Sequence, residues 1–178
     1  AKQRPLVLGW IGSPSTVTYL DLIAPVLCRL ARHYPLRLCV IGADFDLDGV
    51  EVECRPWSLD REAADLRACD IGLMPVPDDP WTRGKGGYKL LQYMACGLPV
   101  VAHPVGINVQ IVTQGDTGFL AADEARWEQC LTQLMNDPAL RRRMGNRGRV
   151  RIAADYSLES QQPRLLAALQ GLREAVAA

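Results

Sequence analysis

Short apolar runs alternate with stretches of helical periodicity along this chain, and that alternation constrains its fold more than any other feature of the sequence. The runs typical of buried strands cover residues 6–11, 36–41, 50–54, 71–76, 98–102 and 118–121. Helical periodicity covers 16–33, 58–68, 107–114, 124–136, 138–155 and 158–176, and a further short helix begins near residue 88. Because parallel strands need crossover connections, this order predicts an α/β fold: a doubly wound, mostly parallel, Rossmann-like sheet with helices on both faces.

The length and the charge balance narrow the classes of function. The chain has 178 residues, enough for one full core, so we expect residues 1–178 to form a single domain. Its 20 basic and 20 acidic residues cancel, so no overall field draws it to nucleic acid or to an anionic membrane. No apolar run approaches the roughly 20 residues that span a bilayer, and the first residues, AKQRPLVLGW, lack a signal peptide's apolar stretch. We expect a soluble, cytoplasmic protein without a nucleic-acid partner.

The cysteines and histidines do not form the pattern of a metal site. Six cysteines are scattered through apolar segments without a CxxC pair, and the chain has two histidines, His33 and His103. A chain of this length does not depend on disulfides, so we expect the cysteines to be reduced core residues. We expect no bound metal. His103 follows a predicted strand and could reach a ligand there, but an ordinary loop histidine is the favoured interpretation.

A glycine-rich segment with two lysines predicts a phosphate site. In a doubly wound sheet the ligand lies outside the carboxyl ends of the strands. The segment 83–101, RGKGGYKLLQYMACGLPVV, leads from such an end into a short helix. The N-terminus of a helix disfavours cations, so Lys89 in the first turn, with Lys85 just before it, indicates an anion that balances them. Gly86 and Gly87 would let the backbone approach that anion. In the alternative interpretation the lysines are solvated and the glycines only bend the chain.

The turn after the first strand, GWIGSPST, offers Gly12 and the hydroxyl of Ser13 at a second helix start. Ordinary N-capping and phosphate binding share this geometry, and both stay open. The turn is not a GxGxxG fingerprint, and the Lys85 segment is not a P-loop, because no serine or threonine follows the lysine. The arginine run 141–151 is most simply a solvated helix face, with a nucleic-acid or lipid surface as the alternative.

Several phrases within residues 70–121 resemble one family closely: DIGLMPVP, KLLQYMACGLPVVA, VGINVQIV and GDTGFLA. They are similar to the nucleotide-binding half of retaining glycosyltransferases of family 4, also called group 1. The resemblance implies one half of a GT-B fold: the C-terminal, donor-binding domain, with the N-terminal acceptor domain absent from this chain. It also implies a UDP-, GDP- or ADP-linked sugar as donor, no cofactor and no metal.

The resemblance assigns roles to individual residues. Gln92 stands where a family glutamate binds the donor ribose, and Gly84 stands where a second glutamate contacts the donor sugar. Asp78 or Asp79 could substitute for that second glutamate. The family's basic residues after the first strand are missing, so the lysines of the helix start would supply their charge. The implied diphosphate-binding residues are Gly12, Ser13, Lys85, Gly86, Gly87, Lys89 and Leu90, and the implied base-binding residues are Arg55, Pro56 and Trp57.

We therefore expect the chain to bind the nucleotide-sugar donor for a retaining glycosyl transfer to an unknown acceptor. The isolated domain should be inactive without the N-terminal half, and no catalytic residue is assigned. Two alternatives stay open: half of a sugar-nucleotide 2-epimerase, and a nucleotide-binding scaffold that has lost catalysis. Peripheral membrane association of the full-length enzyme also stays open.

Overall fold

The computed structural model describes the backbone of residues 4–177 and the side chains of residues 4–170. Its centre is a six-stranded sheet in the order β3-β2-β1-β4-β5-β6, and every pairing is parallel. The strands are β1 (Leu6–Ile11), β2 (Leu36–Ile41), β3 (Glu51–Arg55), β4 (Ile71–Met74), β5 (Val100–Ala102) and β6 (Gly118–Leu120). The predicted doubly wound α/β fold is confirmed.

Helices connect the strands and cover both faces of the sheet. They are α1 (Ala24–Ala31), α2 (Leu59–Arg67), α3 (Pro80–Arg83), α4 (Tyr88–Ala95), α5 (Asn108–Ile111), α6 (Glu124–Asn136), α7 (Pro138–Asp155) and α8 (Leu158–Ala177). One core cluster includes Leu8, Leu38 and Trp127, and the other includes Ile41, Leu90 and Val100. Because neighbouring residues of a strand point to opposite faces, a strand buried on both sides is apolar throughout, as predicted.

The single helix expected over residues 16–33 is two elements. A 3-10 helix covers Pro14–Leu22, and α1 begins at Ala24 with Pro25 in its first turn. Proline lacks the N–H that would continue the preceding helix, but it fits a first turn, where that N–H has no intrahelical acceptor. Pro25 therefore marks the boundary between the two helices.

Helix α3 is not among the helices that the sequence periodicity predicts. The Asp79 carboxylate accepts a hydrogen bond from the Thr82 N–H at 2.7 Å, and the Asp79 N–H donates to the Thr82 hydroxyl at 3.2 Å. This reciprocal pair is a capping box, and Pro80 takes the first helical position. The Asp-Pro step was the sequence signal for this short helix.

All six cysteines are free, but only three lie in the core. Cys39, Cys69 and Cys130 are buried, whereas Cys54 is exposed and the remaining two are half-buried. The expectation of six core cysteines is therefore wrong for half of them.

Among the described residues, no group of three metal-ligating side chains comes together, and none of the helices is apolar over a length that would cross a bilayer.

Candidate functional site

The site lies where the strand order reverses, between β1 and β4. Strand β1 pairs with β2 along its whole length, but it pairs with β4 at Leu8–Ile71 and Gly9–Gly72. Beyond these pairs the two strands diverge, because their connections leave toward opposite faces of the sheet. A cavity of about 600 Å³ opens at their carboxyl ends. It is lined by Ile11, Gly12, Ser13, Pro14, Thr16, Tyr19, Gly42, Trp57, Glu62, Met74, Val76, Lys85, Gly86, Gly87, Tyr88, Lys89 and Gln92.

Tyr93 of α4 lies below this cavity and joins the two diverging strands. Its hydroxyl accepts a hydrogen bond from the Ile11 N–H at 3.0 Å and donates one to the Leu73 carbonyl oxygen at 3.0 Å. The ring is fully buried against Gly72, where a Cβ would lie 2.5 Å from a ring carbon. Burial raises the pKa of Tyr93, so the hydroxyl stays protonated and can donate. Tyr93 thus satisfies two backbone groups that the strand divergence would otherwise leave unpaired.

The loop after β1 approaches the cavity without a side chain at Gly12. A Cβ there would lie 2.4 Å from the tip of the Trp10 indole and 2.7 Å from the Lys89 Nζ. Ser13 takes the N-cap position of the 3-10 helix, but its hydroxyl makes no capping hydrogen bond to the backbone. It lies instead 2.9 Å from the Ser15 hydroxyl. Of the two interpretations of this turn, side-chain capping by Ser13 is not realised.

Helix α4 begins at the opposite wall of the cavity. Its N-cap, Gly87, has a φ of +64°, a left-handed conformation that favours glycine. A Cβ at Gly87 would also lie 2.5 Å from the Ile111 Cδ1. Leu90 is buried, and its N–H donates to the Gly87 carbonyl oxygen at 2.9 Å. Leu90 therefore has no free amide for a ligand and does not line the cavity, unlike the other six predicted diphosphate residues.

Both predicted lysines point into the cavity, and both contact aromatic rings. The Lys89 Nζ lies 4.3 Å from the Trp10 ring centre and 3.5 Å from the Thr16 hydroxyl oxygen. The Lys85 Nζ lies 4.7 Å from the Tyr19 ring centre and 3.3 Å from the Tyr19 hydroxyl oxygen. Such contacts attract a cation to the negative face of the ring.

Neither lysine is neutralised by a carboxylate. Every ion pair formed among residues 4–170 involves an arginine, so no carboxylate oxygen of these residues lies within 4.0 Å of either ammonium. Burial, and secondly the neighbouring charge of Lys85, lower the pKa of Lys89 to about 8. At neutral pH most Lys89 side chains are still protonated. The cavity therefore holds two positive charges that lack a negative partner.

The predicted base-binding residues divide between two cavities. Trp57 lines the main cavity, is 53% exposed, and donates from Nε1 to Glu62 Oε2 at 2.6 Å. Arg55 and Pro56 line a neighbouring cavity of about 480 Å³ that shares Trp57 with the first. The Arg55 guanidinium is occupied by Glu53 at 2.7 Å and by Asp65 at 3.0 Å. Of the three predicted base-binding residues, Trp57 alone lines both cavities, and its indole ring is partly exposed there.

The residues considered as replacements for the missing sugar-contacting glutamate lie elsewhere. Gly84 is exposed at the end of α3 and does not line the main cavity. Asp79 caps α3, and Asp78 pairs with Arg83 at 2.6 Å. Glu62 is the one carboxylate among the residues that line the main cavity. Gln92, the predicted ribose contact, does line it.

Both ring nitrogens of His103 lie within hydrogen-bond distance of other protein groups. The Val76 N–H donates to its Nδ1 at 3.0 Å, and the Trp127 Nε1 lies 3.0 Å from its Nε2. Burial lowers the pKa of His103. The ring lines a separate cavity of about 280 Å³ together with Asp78, so the favoured interpretation of a loop histidine agrees with its contacts.

The aromatic residues that contact the lysines, Trp10 and Tyr19, carry no local sequence signal for this role. Trp10 belongs to β1 and has no exposed surface, so its pattern is that of any core strand residue. Tyr19 lies in the 3-10 helix that was taken as part of a longer α-helix. No local signal linked either aromatic residue to a lysine far away in the sequence.

Comparisons with known proteins agree with this architecture. The family described as "Glycosyl transferases group 1" matches residues 5–137. A D-inositol 3-phosphate glycosyltransferase from Pseudarthrobacter chlorophenolicus is 31% identical over 134 residues, which are 74% of this chain and 31% of that protein. This chain thus spans about a third of the length of that curated relative.

Two solved structures share the fold at low sequence identity. HepE from Anabaena, in complex with UDP and glucose, has a TM-score of 0.76 at 17% identity, covering 94% of this chain and 49% of its own. The C-terminal domain of the group 1 glycosyl transferase LpcC from Francisella tularensis has a TM-score of 0.67 at 19% identity, covering 88% of this chain and 90% of its own. The chain therefore belongs to the group 1 glycosyltransferases, and its fold is that of the C-terminal domain of the GT-B architecture.

Proposed function

We propose that this chain binds the nucleotide-sugar donor for a glycosyl transfer that retains the configuration of the sugar. The observation that carries the proposal is the pair of unneutralised ammonium groups, Lys85 and Lys89, facing the Gly12–Ser13 turn across the β1–β4 crevice. The two ammonium groups outnumber Glu62, the one carboxylate that lines the cavity, so the cavity favours an anionic ligand, and a nucleoside diphosphate group is one. That HepE was solved with UDP and glucose supports the same ligand class.

The remaining wall of the cavity suits the other parts of such a donor. The Gln92 amide can donate to and accept from ribose hydroxyls. The exposed face of Trp57 can stack on a nucleobase beside the neighbouring cavity. As the glycosidic bond breaks, negative charge develops on the leaving diphosphate, and the two ammonium groups stabilise it. The acceptor would come from the other half of a GT-B enzyme.

Calorimetric titration tests the proposal directly. UDP, GDP and ADP are titrated separately into the protein at pH 7, with the matching nucleosides as controls for the base and ribose contribution. We expect at least one diphosphate to bind and its nucleoside to bind at least tenfold more weakly, because the nucleoside lacks the charge that the lysines contact. Absence of binding by all three diphosphates at millimolar concentration would contradict the proposal.

One observation favours a second candidate, a donor-binding domain without transfer activity. Gly84 offers no carboxylate, and Glu62, the one carboxylate that lines the main cavity, is engaged by Trp57. Sugar recognition by an acidic side chain of the described residues would need rearrangement. Assay of the complete polypeptide with the donor that binds best distinguishes the two: release of a nucleoside diphosphate dependent on an acceptor indicates transfer, and tight binding without release indicates the scaffold.

A further inference from the structure

The chain contains three lysines, Lys2, Lys85 and Lys89, and the two that line the cavity both lie against aromatic rings. Several arginines elsewhere are paired with carboxylates, for example Arg83 with Asp78 and Arg37 with Glu51. Carboxylates and aromatic rings affect the charge of a neighbouring cation differently. A carboxylate fixes a cation and cancels its charge, whereas an aromatic face attracts the cation and leaves the net charge in place.

Trp10 is placed to act on Lys89 in this way. The indole has no exposed surface, and its tip lies directly under the Gly12 backbone. Its Nε1 has no hydrogen-bond partner among the described residues, although buried tryptophan N–H groups usually have one. The ring faces the Lys89 ammonium, which lies 4.3 Å from the ring centre.

We propose that Trp10 is a positioning residue of the site, whose indole ring holds the Lys89 ammonium over the crevice without neutralising it. The Thr16 hydroxyl, 3.5 Å from the Nζ, is the second contact that directs the ammonium toward the turn after β1. A ligand diphosphate then meets a cation that is already oriented, so less side-chain entropy is lost on binding. This last consequence rests on the proposed donor-binding function, but the Trp10–Lys89 contact itself does not.

The Trp10 ring also affects the protonation of Lys89. Burial and the charge of Lys85 both favour the neutral amine, and the ring opposes them by stabilising the ammonium. The other ionisable groups lining the same cavity are Tyr19, Tyr88 and Glu62, and the last of these accepts a hydrogen bond from Trp57. Weakening the ring contact should therefore lower the pKa of Lys89.

The test replaces Trp10 with fluorinated tryptophans by suppression of a stop codon at position 10. Fluorine withdraws π-electron density with little change in shape, so a purely structural role for Trp10 would be little affected. The pKa of Lys89 is followed by NMR in protein labelled at the lysine Cε, where three lysines make assignment simple and Lys89→Gln identifies the signal. We expect the pKa of Lys89 to fall stepwise with fluorine number, by roughly one unit for the most fluorinated ring.

Matched substitutions extend the test. Trp10→Phe keeps a weaker aromatic face, and Trp127→Phe alters another fully buried tryptophan that contacts neither lysine. We expect a lower pKa of Lys89 in Trp10→Phe and an unchanged one in Trp127→Phe. An unchanged pKa throughout the fluorinated series would overturn the proposal, as would equal shifts in the two phenylalanine variants.

Ligand titrations separate this proposal from the proposed function. If UDP, GDP and ADP all fail to bind the native protein, the donor-binding function fails, and the fluorinated series still decides whether Trp10 holds Lys89. If a diphosphate binds, we expect its affinity to fall by about twofold or more in the most fluorinated variant at pH 7, because a pKa lowered by one unit leaves only about half of the Lys89 side chains protonated, while the nucleoside affinity stays the same. Equal losses for diphosphate and nucleoside would contradict an action of Trp10 through Lys89.

Discussion

The basic residues along α7 and the two lysines at the start of α4 have similar charge density in the sequence but opposite surroundings in the fold. On α7, Arg151 donates to the Thr113 hydroxyl at 2.7 Å and to the Gln110 carbonyl oxygen at 2.6 Å, and Arg147 pairs with Asp116. The lysines of the crevice contact aromatic rings and hydroxyls instead. A basic residue marks a candidate anion site when its charge lies inside a cavity without a carboxylate partner, as for the two lysines, and a run of arginines on a helix surface does not by itself meet that condition.

The difference follows from where the partners come from. The α7 arginines reach polar groups of the turn and helix that follow β5, so they attach one surface element to another. Arg142, Arg143 and Arg149 on the same helix are exposed, as a solvated face predicts. Lys85 and Lys89 extend over the sheet crevice, where neither ammonium forms an ion pair with Glu62, the one carboxylate that lines the cavity. Absence of a nucleic-acid partner stays a prediction.

The largest expected effect is the loss of the crevice charge. Lys89→Ala should lower the affinity for UDP, or for whichever diphosphate binds, by roughly 10- to 100-fold. A charge-assisted contact contributes about 1.5–3 kcal/mol to binding. Uridine affinity should stay within about twofold, since the nucleoside does not contact the ammonium. Calorimetry measures both, with Arg149→Ala as a control that removes an exposed arginine outside the crevice. Equal losses of diphosphate affinity in Lys89→Ala and Arg149→Ala would contradict the proposal that the crevice lysine, and not the α7 arginines, binds the diphosphate.

The next effect tests the close approach at Gly12. Gly12→Ala adds a Cβ that would lie 2.4 Å from the Trp10 ring and 2.7 Å from the Lys89 Nζ, so the lysine must move. We expect roughly tenfold weaker diphosphate binding, because a displaced ammonium loses one charge-assisted contact in part. Gly84→Ala is the matched control: its Cβ would have no neighbour closer than 3.5 Å. Native affinity in Gly12→Ala would mean that the lysine does not act from its present position.

The pH dependence of binding sharpens the comparison further, because Lys89 titrates near neutral pH and arginine does not. The pKa of Lys89 is lowered to about 8, so diphosphate affinity should be nearly constant below pH 7 and fall as the pH rises through 8. By pH 9 a loss of roughly five- to tenfold is expected if the neutral amine binds poorly. Calorimetry in buffers of different ionisation enthalpy should detect proton uptake on binding near pH 8. A flat profile from pH 7 to 9 would contradict the role of Lys89.

The contribution of Lys89 to folding stability should rise with pH, whereas its contribution to diphosphate affinity should fall. The folded protein releases the Lys89 proton near pH 8, whereas the unfolded chain keeps it to about pH 10.4. Between these values the unfolded state binds more protons, so the contribution of Lys89 to the free energy of unfolding rises with pH. Lys89→Met should remove this contribution, which urea unfolding at several pH values measures.

The smallest effect is expected on α7. Arg147→Ala removes a surface ion pair with Asp116, and such pairs contribute about 0–1 kcal/mol to stability. The free energy of unfolding should fall by less than about 1 kcal/mol, and diphosphate affinity should not change. A loss of diphosphate affinity comparable to that of Lys89→Ala would show that the basic run takes part in ligand binding.

Sequence periodicity was sufficient to predict the doubly wound, mostly parallel sheet and the edge at which its ligand site would lie. Apolar runs alternating with helices require crossovers, and crossovers put the loop after each strand at the same edge of the sheet, so Gly12, Lys85 and Lys89 were expected at that edge. Trp57 and Gln92 were placed at the same edge by the same reasoning and by the family resemblance. The predictions failed where a residue's contacts depend on local competition, as for Leu90, whose amide is used inside its own helix.

What the amino-acid sequence determined by itself is the alternation that specifies a doubly wound sheet, and the unusual placement of lysines where a helix begins. Only the tertiary structure decided which groups surround those lysines. Trp10 and Lys89 meet because β1 and β4 diverge at their carboxyl ends and Tyr93 bridges them, which leaves space for the ammonium above the indole. Local periodicity reports which face of an element is buried, but contacts between distant residues depend on how the elements pack against each other.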